Sequence, residues 1–160
     1  MARSKFVYVT YIRTTQQKLW SALTDDVEFM KQYWFGVHCE SAWRPGASWR
    51  MVHSDGSISD AGEILEADPP RRLVIRWQHQ KRPELKEEGD SRCTIELEPA
   101  GEAIRLSIVH TIEREPSKLI DAVSGGWPKI MSNLKSLLET GAVVLKDPYP
   151  KGADAAPSRR

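Results

Sequence analysis

The segment 117–141 constrains the fold more than any other part of the chain, because its apolar residues follow the period of an amphipathic helix. They recur at spacings of three and four, with polar residues between them: Trp127, Ile130, Met131, Leu134, Leu137 and Leu138. Gly141 stands where a left-handed residue commonly ends a helix. Because Pro128 has no amide N–H, we expect a bend or restart near Trp127. Such a helix needs a second layer to cover its apolar face.

The chain before this helix has the pattern of antiparallel strands. Segments rich in β-branched and aromatic residues are separated by short runs of Gly, Pro, Asp and Ser. The predicted strands are 6–12, 37–42, 48–53, 59–67, 72–80, 91–98 and 103–113. After the first strand, Thr14 or Thr15 and then Asp25 or Asp26 are placed to cap two short helices. The pattern predicts one α+β domain, with a seven-stranded antiparallel sheet wrapped around a long C-terminal helix and two short helices after strand one. The polar stretch 81–90 is expected to be a solvated loop or a lid.

The two-residue alternation within the strands assigns one side of each strand to the covered face of the sheet. In the last strand, for example, Ile108 and His110 alternate with Val109 and Thr111. We expect the covered strand residues and the apolar helix face to enclose a pocket. The predicted ligand-binding residues are Trp49, Met51, Trp77, His79, Ile95, Ile108 and His110 on the strands, with Trp127, Met131 and Leu134 on the helix.

Two kinds of residue in this set have more than one interpretation. Tryptophan rings offer flat apolar walls to a ring-shaped ligand, but large aromatic residues also fill ordinary cores. His110 and His79 can serve as polar anchors, as a general acid–base pair, or simply as hydrogen-bonded core residues. Glu63 is a further acid that an enzyme with such a pocket could use. No nucleophile or orienting carboxylate stands at a recognisable spacing, so we predict no catalytic residue.

The composition limits the classes of partner. A chain of 160 residues is most simply one domain, and its formal net charge of +1 comes from scattered charged residues. We therefore expect no nucleic-acid partner. No apolar run approaches the ~18 residues of a membrane span, and the N-terminus has no apolar signal region. Since Cys39 and Cys93 also lack a paired spacing, these features predict a cytoplasmic protein.

The sequence predicts neither a metal nor a cofactor. It contains no Cys-x-x-Cys or His-x-x-x-His pair, and Gly125-Gly126 lies within the helical pattern rather than after a strand. After Leu145 the chain turns to prolines and small or polar residues. We therefore expect one ligand-binding domain over residues 1–145 and a flexible tail over residues 146–160.

Three stretches of the chain resemble a known family. They are LWSALTD at 19–25, GEILEADPPRRLVIRW at 62–77, and GWP at 126–128 followed by LKSLLETG at 134–141. These stretches resemble homologues of the activator of heat-shock protein 90 ATPase. That family lies within the helix-grip superfamily of START lipid-transfer domains, Bet v 1-like allergens and polyketide cyclases. The likeness covers about residues 5–145 and implies a sheet wrapped around the terminal helix, with an apolar pocket between them.

Three functions remain open at this point. The first is a carrier, sensor or sequestering protein that holds a small apolar, aromatic or lipid-like molecule between sheet and helix. The second is a cyclase-like or hydrolase-like enzyme that uses a pocket histidine or acid. The third, which the resemblance brings in, is a co-chaperone-like domain that binds a chaperone through an exposed apolar patch or a charged groove. The expected assembly is a monomer or a homodimer.

Overall fold

The computed structural model describes residues 3–147 of the chain. Strands and helices follow one another in the predicted order, with one additional short helix. Their bounds are β1 Ser4–Ile12, α1 Gln16–Leu23, α2 Val27–Tyr33, β2 His38–Ser41, β3 Ser48–Val52, β4 Ile58–Asp68, β5 Arg72–His79, α3 Pro83–Lys86, β6 Ser91–Ala100, β7 Ala103–Ile112 and α4 Lys118–Thr140.

The seven strands form one antiparallel sheet in the order β1-β7-β6-β5-β4-β3-β2. The inward residues of the strands and the apolar face of α4 meet in one core cluster. On the opposite face, Arg72 pairs with Glu66 and Glu96, and Arg76 pairs with Glu63. The predicted α+β helix-grip fold is therefore confirmed.

The helix starts follow from side-chain caps. The hydroxyl of Thr15 accepts a hydrogen bond from the Lys18 amide, and the Asp26 carboxylate accepts one from the Phe29 amide. Ser117 caps α4 in the same way. The helix then runs through Pro128 without the predicted restart, and Gly141 ends it at φ 86°. Its apolar face therefore remains one continuous surface over the sheet.

The polar stretch 81–90 is not simply a solvated loop. It contains α3, whose Leu85 is 1% exposed and packs in a small cluster with Ile112, Leu119 and Ile120. Farther along this stretch, the Glu88 carboxylate accepts hydrogen bonds from the Ser117 hydroxyl and from the first amides of α4. Burial raises the pKa of Glu88, but these hydrogen bonds outweigh it and lower the pKa overall. The stretch is thus fastened to the start of α4.

Close backbone packing occurs between the paired strands β4 and β5. A Cβ atom added to Gly62 would lie 1.6 Å from the carbonyl oxygen of Arg76, so only glycine fits there. The strand register shifts between Ile64 and Glu66, and again between Met51 and Val52 in β3. Such bulges increase the local twist of a sheet and bend its strands.

The chain reverses direction after α4 and is held against that helix by Asn133. The side-chain oxygen of this fully buried residue accepts hydrogen bonds from the amides of Val144 and Leu145, at 3.0 and 2.7 Å. Its amide group donates to the carbonyl oxygens of Leu145 and Tyr33. The predicted flexible tail 146–160 lies outside the described residues, apart from 146 and 147.

Candidate functional site

A row of aromatic rings lies between the sheet and α4. The ring centroids of Trp49 and Trp77 are 4.5 Å apart, those of Trp77 and Trp127 are 5.7 Å apart, and those of Trp127 and Trp34 are 5.6 Å apart. The row links β3 to β5, then to α4, and finally to the end of α2. Trp77 therefore contacts both of the other tryptophans predicted to face the pocket, Trp49 and Trp127.

A directional chain of hydrogen bonds passes through His110 beside these rings. Trp127 Nε1 lies 3.3 Å from His110 Nδ1, His110 Nε2 lies 2.9 Å from Ser91 Oγ, and the Ser91 hydroxyl donates to the Trp77 carbonyl oxygen. An indole N–H only donates and a carbonyl oxygen only accepts. His110 therefore accepts at Nδ1 and donates from Nε2 to Ser91, in its neutral form.

This direction determines what the Ser91–His110 pair can do chemically. Burial lowers the pKa of His110 to about 3, which keeps the ring neutral in neutral solution. A general base must accept the proton of its nucleophile, whereas His110 donates to the serine oxygen. The pair thus ties α4 to three strands and does not activate Ser91.

A buried carboxylate lies next to the aromatic row. Asp60 is 6% exposed, and it accepts hydrogen bonds from Trp77 Nε1 at 2.7 Å and from the Ser59 hydroxyl at 2.5 Å. It forms no ion pair with any residue of the described range 3–147. Because a buried charge is costly unless it is paired or well hydrogen-bonded, Asp60 is an unusual feature of this core.

Buried nitrogen atoms without a well-formed hydrogen bond occur on β3 and directly after it. Trp49 Nε1 and His53 Nε2 are buried, and neither makes a hydrogen bond. Burial and the Asp60 charge raise the pKa of the Cys39 thiol, and a weak interaction of the Trp49 indole N–H with the sulfur opposes that rise. We call Trp49, Asp60 and Trp77, together with His79, the Asp60 cluster.

His79, the last residue of β5, lies at one end of this cluster. It is the register partner of Asp60 across β4 and β5, and its Nδ1 accepts hydrogen bonds from the amides of Lys81 and Arg82. Burial lowers the pKa of His79, and the nearby Asp60 charge works in the opposite direction. The structure therefore favours a neutral ring with its proton on Nε2.

The ten residues predicted to bind a ligand occupy two kinds of position. Eight of them belong to the main core cluster, namely Trp49, Met51, Trp77, Ile95, Ile108, Trp127, Met131 and Leu134. His110 is buried against two rings of this cluster, those of Trp77 and Trp127. His79 is only partly buried, at the end of β5. His79 and His110 are therefore not a facing pair in the manner of an acid–base couple, since each is held by its own hydrogen bonds.

Glu63 does not serve as a pocket acid. Its carboxylate bonds Arg76 at 3.2 Å on the outer face, because Gly62 and Glu63 point to opposite sides of β4. The acid on the inner face is Asp60, which the sequence interpretation did not select. A signal was present, since counting back in steps of two from Ile64 places Gly62 and Asp60 on the inner face.

Three further observations concern metal sites, membrane spans and cysteines. Within residues 3–147, no group of three or more His, Cys, Asp or Glu side chains is arranged to hold a metal ion. No helix in the same range combines the length and apolar character that crossing a membrane requires. Cys39 and Cys93 are both buried free thiols.

Comparison with known families identifies the chain. A family model described as "Activator of Hsp90 ATPase homolog 1-like protein" matches residues 13–139. The chain belongs to this family. No curated protein matches it at a significant level.

Solved structures show the same fold at low sequence identity. Protein MLL2253 from Mesorhizobium loti has a TM-score of 0.71 at 20% identity, covering 84% of this chain and 96% of that one. DynU16, from the dynemicin biosynthetic locus, has a TM-score of 0.70 at 23% identity, covering 87% and 48%. The Aha1 dimer from Colwellia psychrerythraea has a TM-score of 0.67 at 18% identity, covering 86% and 98%. At these identities the likeness concerns the fold alone.

Proposed function

We propose that this protein binds a small molecule with an apolar or aromatic body and a polar group that donates a hydrogen bond, held between the sheet and α4 beside Asp60. The observation that carries this proposal is the Asp60 cluster. It joins a buried carboxylate that has no ion-pair partner in residues 3–147 to the buried indole N–H of Trp49, which makes no well-formed hydrogen bond and faces the weakly accepting Cys39 thiol.

Polar groups that are buried without full hydrogen bonding cost free energy. Buried polar atoms in proteins nearly always have a hydrogen-bond partner, and an exception indicates bound water, a ligand or a functional role. The cluster also offers the combination that small-molecule sites use, with flat apolar walls and a few polar atoms that fix orientation. Trp49 and Trp77 supply the walls, and Asp60 supplies an acceptor.

The proposal favours a carrier or sensor over an enzyme. The Ser91–His110 pair has its donors and acceptors arranged against activation of the serine. The polar group of Asp60 can orient a ligand, but no second acid or base lies within hydrogen-bond reach of it among the described residues. A carrier or sensor needs only apolar walls and a polar anchor, and the Asp60 cluster supplies both.

A second candidate is protein interaction, and one observation favours it. The outer side of edge strand β1 exposes Val7, Val9 and Tyr11, at 49%, 38% and 52%. Exposed apolar side chains in a row on an edge strand are typical of interaction surfaces. The family description names an activator of a chaperone ATPase, and the Colwellia relative is a dimer. A chaperone or a second copy of the chain are therefore the partners to test.

Binding of a neutral apolar fluorophore tests the leading proposal. N-phenylnaphthylamine combines an aromatic body with one N–H donor, and when bound beside Trp49 and Trp77 it should quench tryptophan emission saturably. Native mass spectrometry of freshly purified protein should also show a copurifying small molecule. Asp60→Asn should weaken binding of the fluorophore, whereas the exposed Asp25→Asn should leave it unchanged.

Filling the interior provides the decisive comparison. Ile108 is fully buried at the centre of β7, and Ile108→Trp adds volume that a closely packed core does not accept without a cost of about 1–3 kcal/mol. A folded variant that has lost the fluorophore supports the site. A variant that unfolds, or a wild type without saturable binding, rejects the proposal and favours the protein-interaction alternative.

A further inference from the structure

A cavity lies near the C-terminal end of α4. A surface groove of about 520 Å³ is bounded by the β1–α1 connection, α1, the start of α2 and the last turns of α4. Leu137 and Leu138 line it, and they are ten and eleven residues beyond Trp127. At 1.5 Å per residue this is about 16 Å along the helix, so the groove is separate from the Asp60 cluster.

The floor of the groove is apolar. Ala22 and Leu137 are buried, and Phe29 and Leu138 are partly buried against the main core. The volume lies within the range of roughly 300–1,000 Å³ that small-molecule sites occupy. An apolar chain laid on this floor would remove Phe29 and Leu138 from water.

The rim of the groove carries more positive than negative charge. Arg13 and Lys18 are exposed there, and the single carboxylate is that of Asp26, which already accepts a hydrogen bond from the Phe29 amide. Lys18 forms no ion pair with a described residue, and the Arg13–Glu102 pair is exposed on both sides. An exposed pair of this kind is worth little and is readily exchanged for another anion.

The adjoining start of α1 also favours a negatively charged ligand. The lining residues Thr15, Gln17 and Lys18 form the start of α1, and no acidic residue lies in its first turn. The start of a helix is partially positive and leaves amides without intrahelical partners. The hydroxyls of Thr14 and Ser21 add hydrogen-bond donors at the same rim.

We propose that this groove binds a small amphipathic anion, namely a free monocarboxylate with a medium-length apolar chain. The carboxylate lies beside Lys18 and the start of α1, and the chain lies across Phe29 and Leu138. The site is independent of the proposed interior site, and it combines an apolar floor with a cationic rim in one groove.

An amide NMR titration of the full chain with sodium octanoate tests this proposal. Saturable shifts are expected at residues of the groove, including Lys18, Ser21 and Leu138. Octanol has the same chain length without the charge and should bind at least roughly tenfold more weakly at low salt, because it lacks the attraction to the rim. Equal binding of octanol, no saturable shift, or shifts confined to Trp77 and Trp127 would each overturn the proposal.

Two charge variants distinguish an effect of the rim from an effect of the protein's total charge. Lys18→Glu should weaken octanoate binding by roughly tenfold. Lys5→Glu makes the same charge change on exposed β1, outside the groove, and should have little effect. Leu138→Trp should obstruct the groove and abolish the shifts, while N-phenylnaphthylamine binding in the interior stays unchanged. Equal loss with Lys5→Glu and Lys18→Glu, or unaltered binding in Lys18→Glu, would contradict the assignment.

Discussion

Trp127 of α4 donates a hydrogen bond from its indole Nε1 to Nδ1 of His110 on β7, across 3.3 Å in the buried core. The contact joins the long helix to the sheet at one defined atom pair. It requires an unprotonated Nδ1, and His110 Nε2 at the same time bonds Ser91. Protonation of His110 would therefore break a link between two layers of the fold.

The first prediction concerns the pH dependence of stability. Burial lowers the folded-state pKa of His110 to about 3, while an unfolded histidine has a pKa near 6.5. The unfolded state binds more protons between these values, so stability is complete above about pH 6.5 and falls as the pH decreases. His110 alone should remove about 3 kcal/mol between pH 7 and pH 4. Denaturant unfolding at a series of pH values measures this loss.

A variant that lacks only His110 provides the control for that measurement. His110→Gln is less stable at neutral pH, because it disturbs the bonds to Trp127 and Ser91. Its stability should nevertheless change less with pH than that of the wild type in the same interval. A slope identical to that of the wild type would show that His110 titrates normally in the folded state.

The second prediction concerns the face of α4. Leu134 is fully buried against the sheet, so Leu134→Asp places an unpaired charge in the core and should cost about 4 kcal/mol or more. Ser132→Asp makes a carboxylate two residues away on the exposed side, with an expected change within about 0.5 kcal/mol. Similar shifts in thermal unfolding for the two variants would contradict the assigned face. Lys135 is unsuitable as a control, because its ammonium bonds the Tyr11 carbonyl oxygen and Glu139.

The sequence predicted the fold well because its periodic signals are strong. Alternation in 103–113 and helical spacing in 117–141 placed Ile108 and Leu134 on facing surfaces, as found. The same spacing predicted one helix over 117–141 with a bend or restart near Trp127, and no restart occurs at Pro128. Proline removes one helical hydrogen bond, but the capped start at Ser117 and a long buried face hold the helix on both sides of it.

The third prediction concerns the close approach of β4 and β5. Gly62→Ala would place a methyl group 1.6 Å from the Arg76 carbonyl oxygen, and the strands would have to separate. We expect a loss of several kcal/mol, or failure to fold. Gly126→Ala in α4 meets no atom within 4 Å and should stabilise the protein by about 0.5–1 kcal/mol. A tolerated Gly62→Ala would show that the strands are not held this close together.

The fourth prediction concerns the chain reversal after α4. Asn133→Leu removes the acceptor of the Val144 and Leu145 amides and the donor to the Tyr33 carbonyl oxygen. We expect a loss of about 1–3 kcal/mol and faster hydrogen exchange at Val144 and Leu145. Asn133→Asp keeps the acceptor and should protect these two amides better than leucine does. Unchanged exchange in Asn133→Leu would mean that the reversal is held by other contacts.

The candidate site was less predictable than the fold, since its polar members have no periodic signature. Alternation identified Trp77 and His110 as inward residues, but it does not reveal that Ser91 joins them through hydrogen bonds. Asp60 was missed because hydrophobic patterns ignore a carboxylate on a covered face. Alternation back from Ile64 does place it on the inner face, but its position opposite His79 depends on pairing across β4 and β5, which a single sequence does not specify.

The fifth prediction examines the electrostatics of the Asp60 cluster directly. Burial lowers the pKa of His79, and the Asp60 charge limits that decrease. Asp60→Asn removes the charge but retains an oxygen that can accept from Trp77 Nε1, so the pKa of His79 should fall further. NMR titration of the His79 ring measures the shift, with exposed Asp25→Asn as the charge-matched control that leaves it unchanged. A pKa of His79 that stays constant or rises in Asp60→Asn would show that the Asp60 charge does not act on the His79 ring.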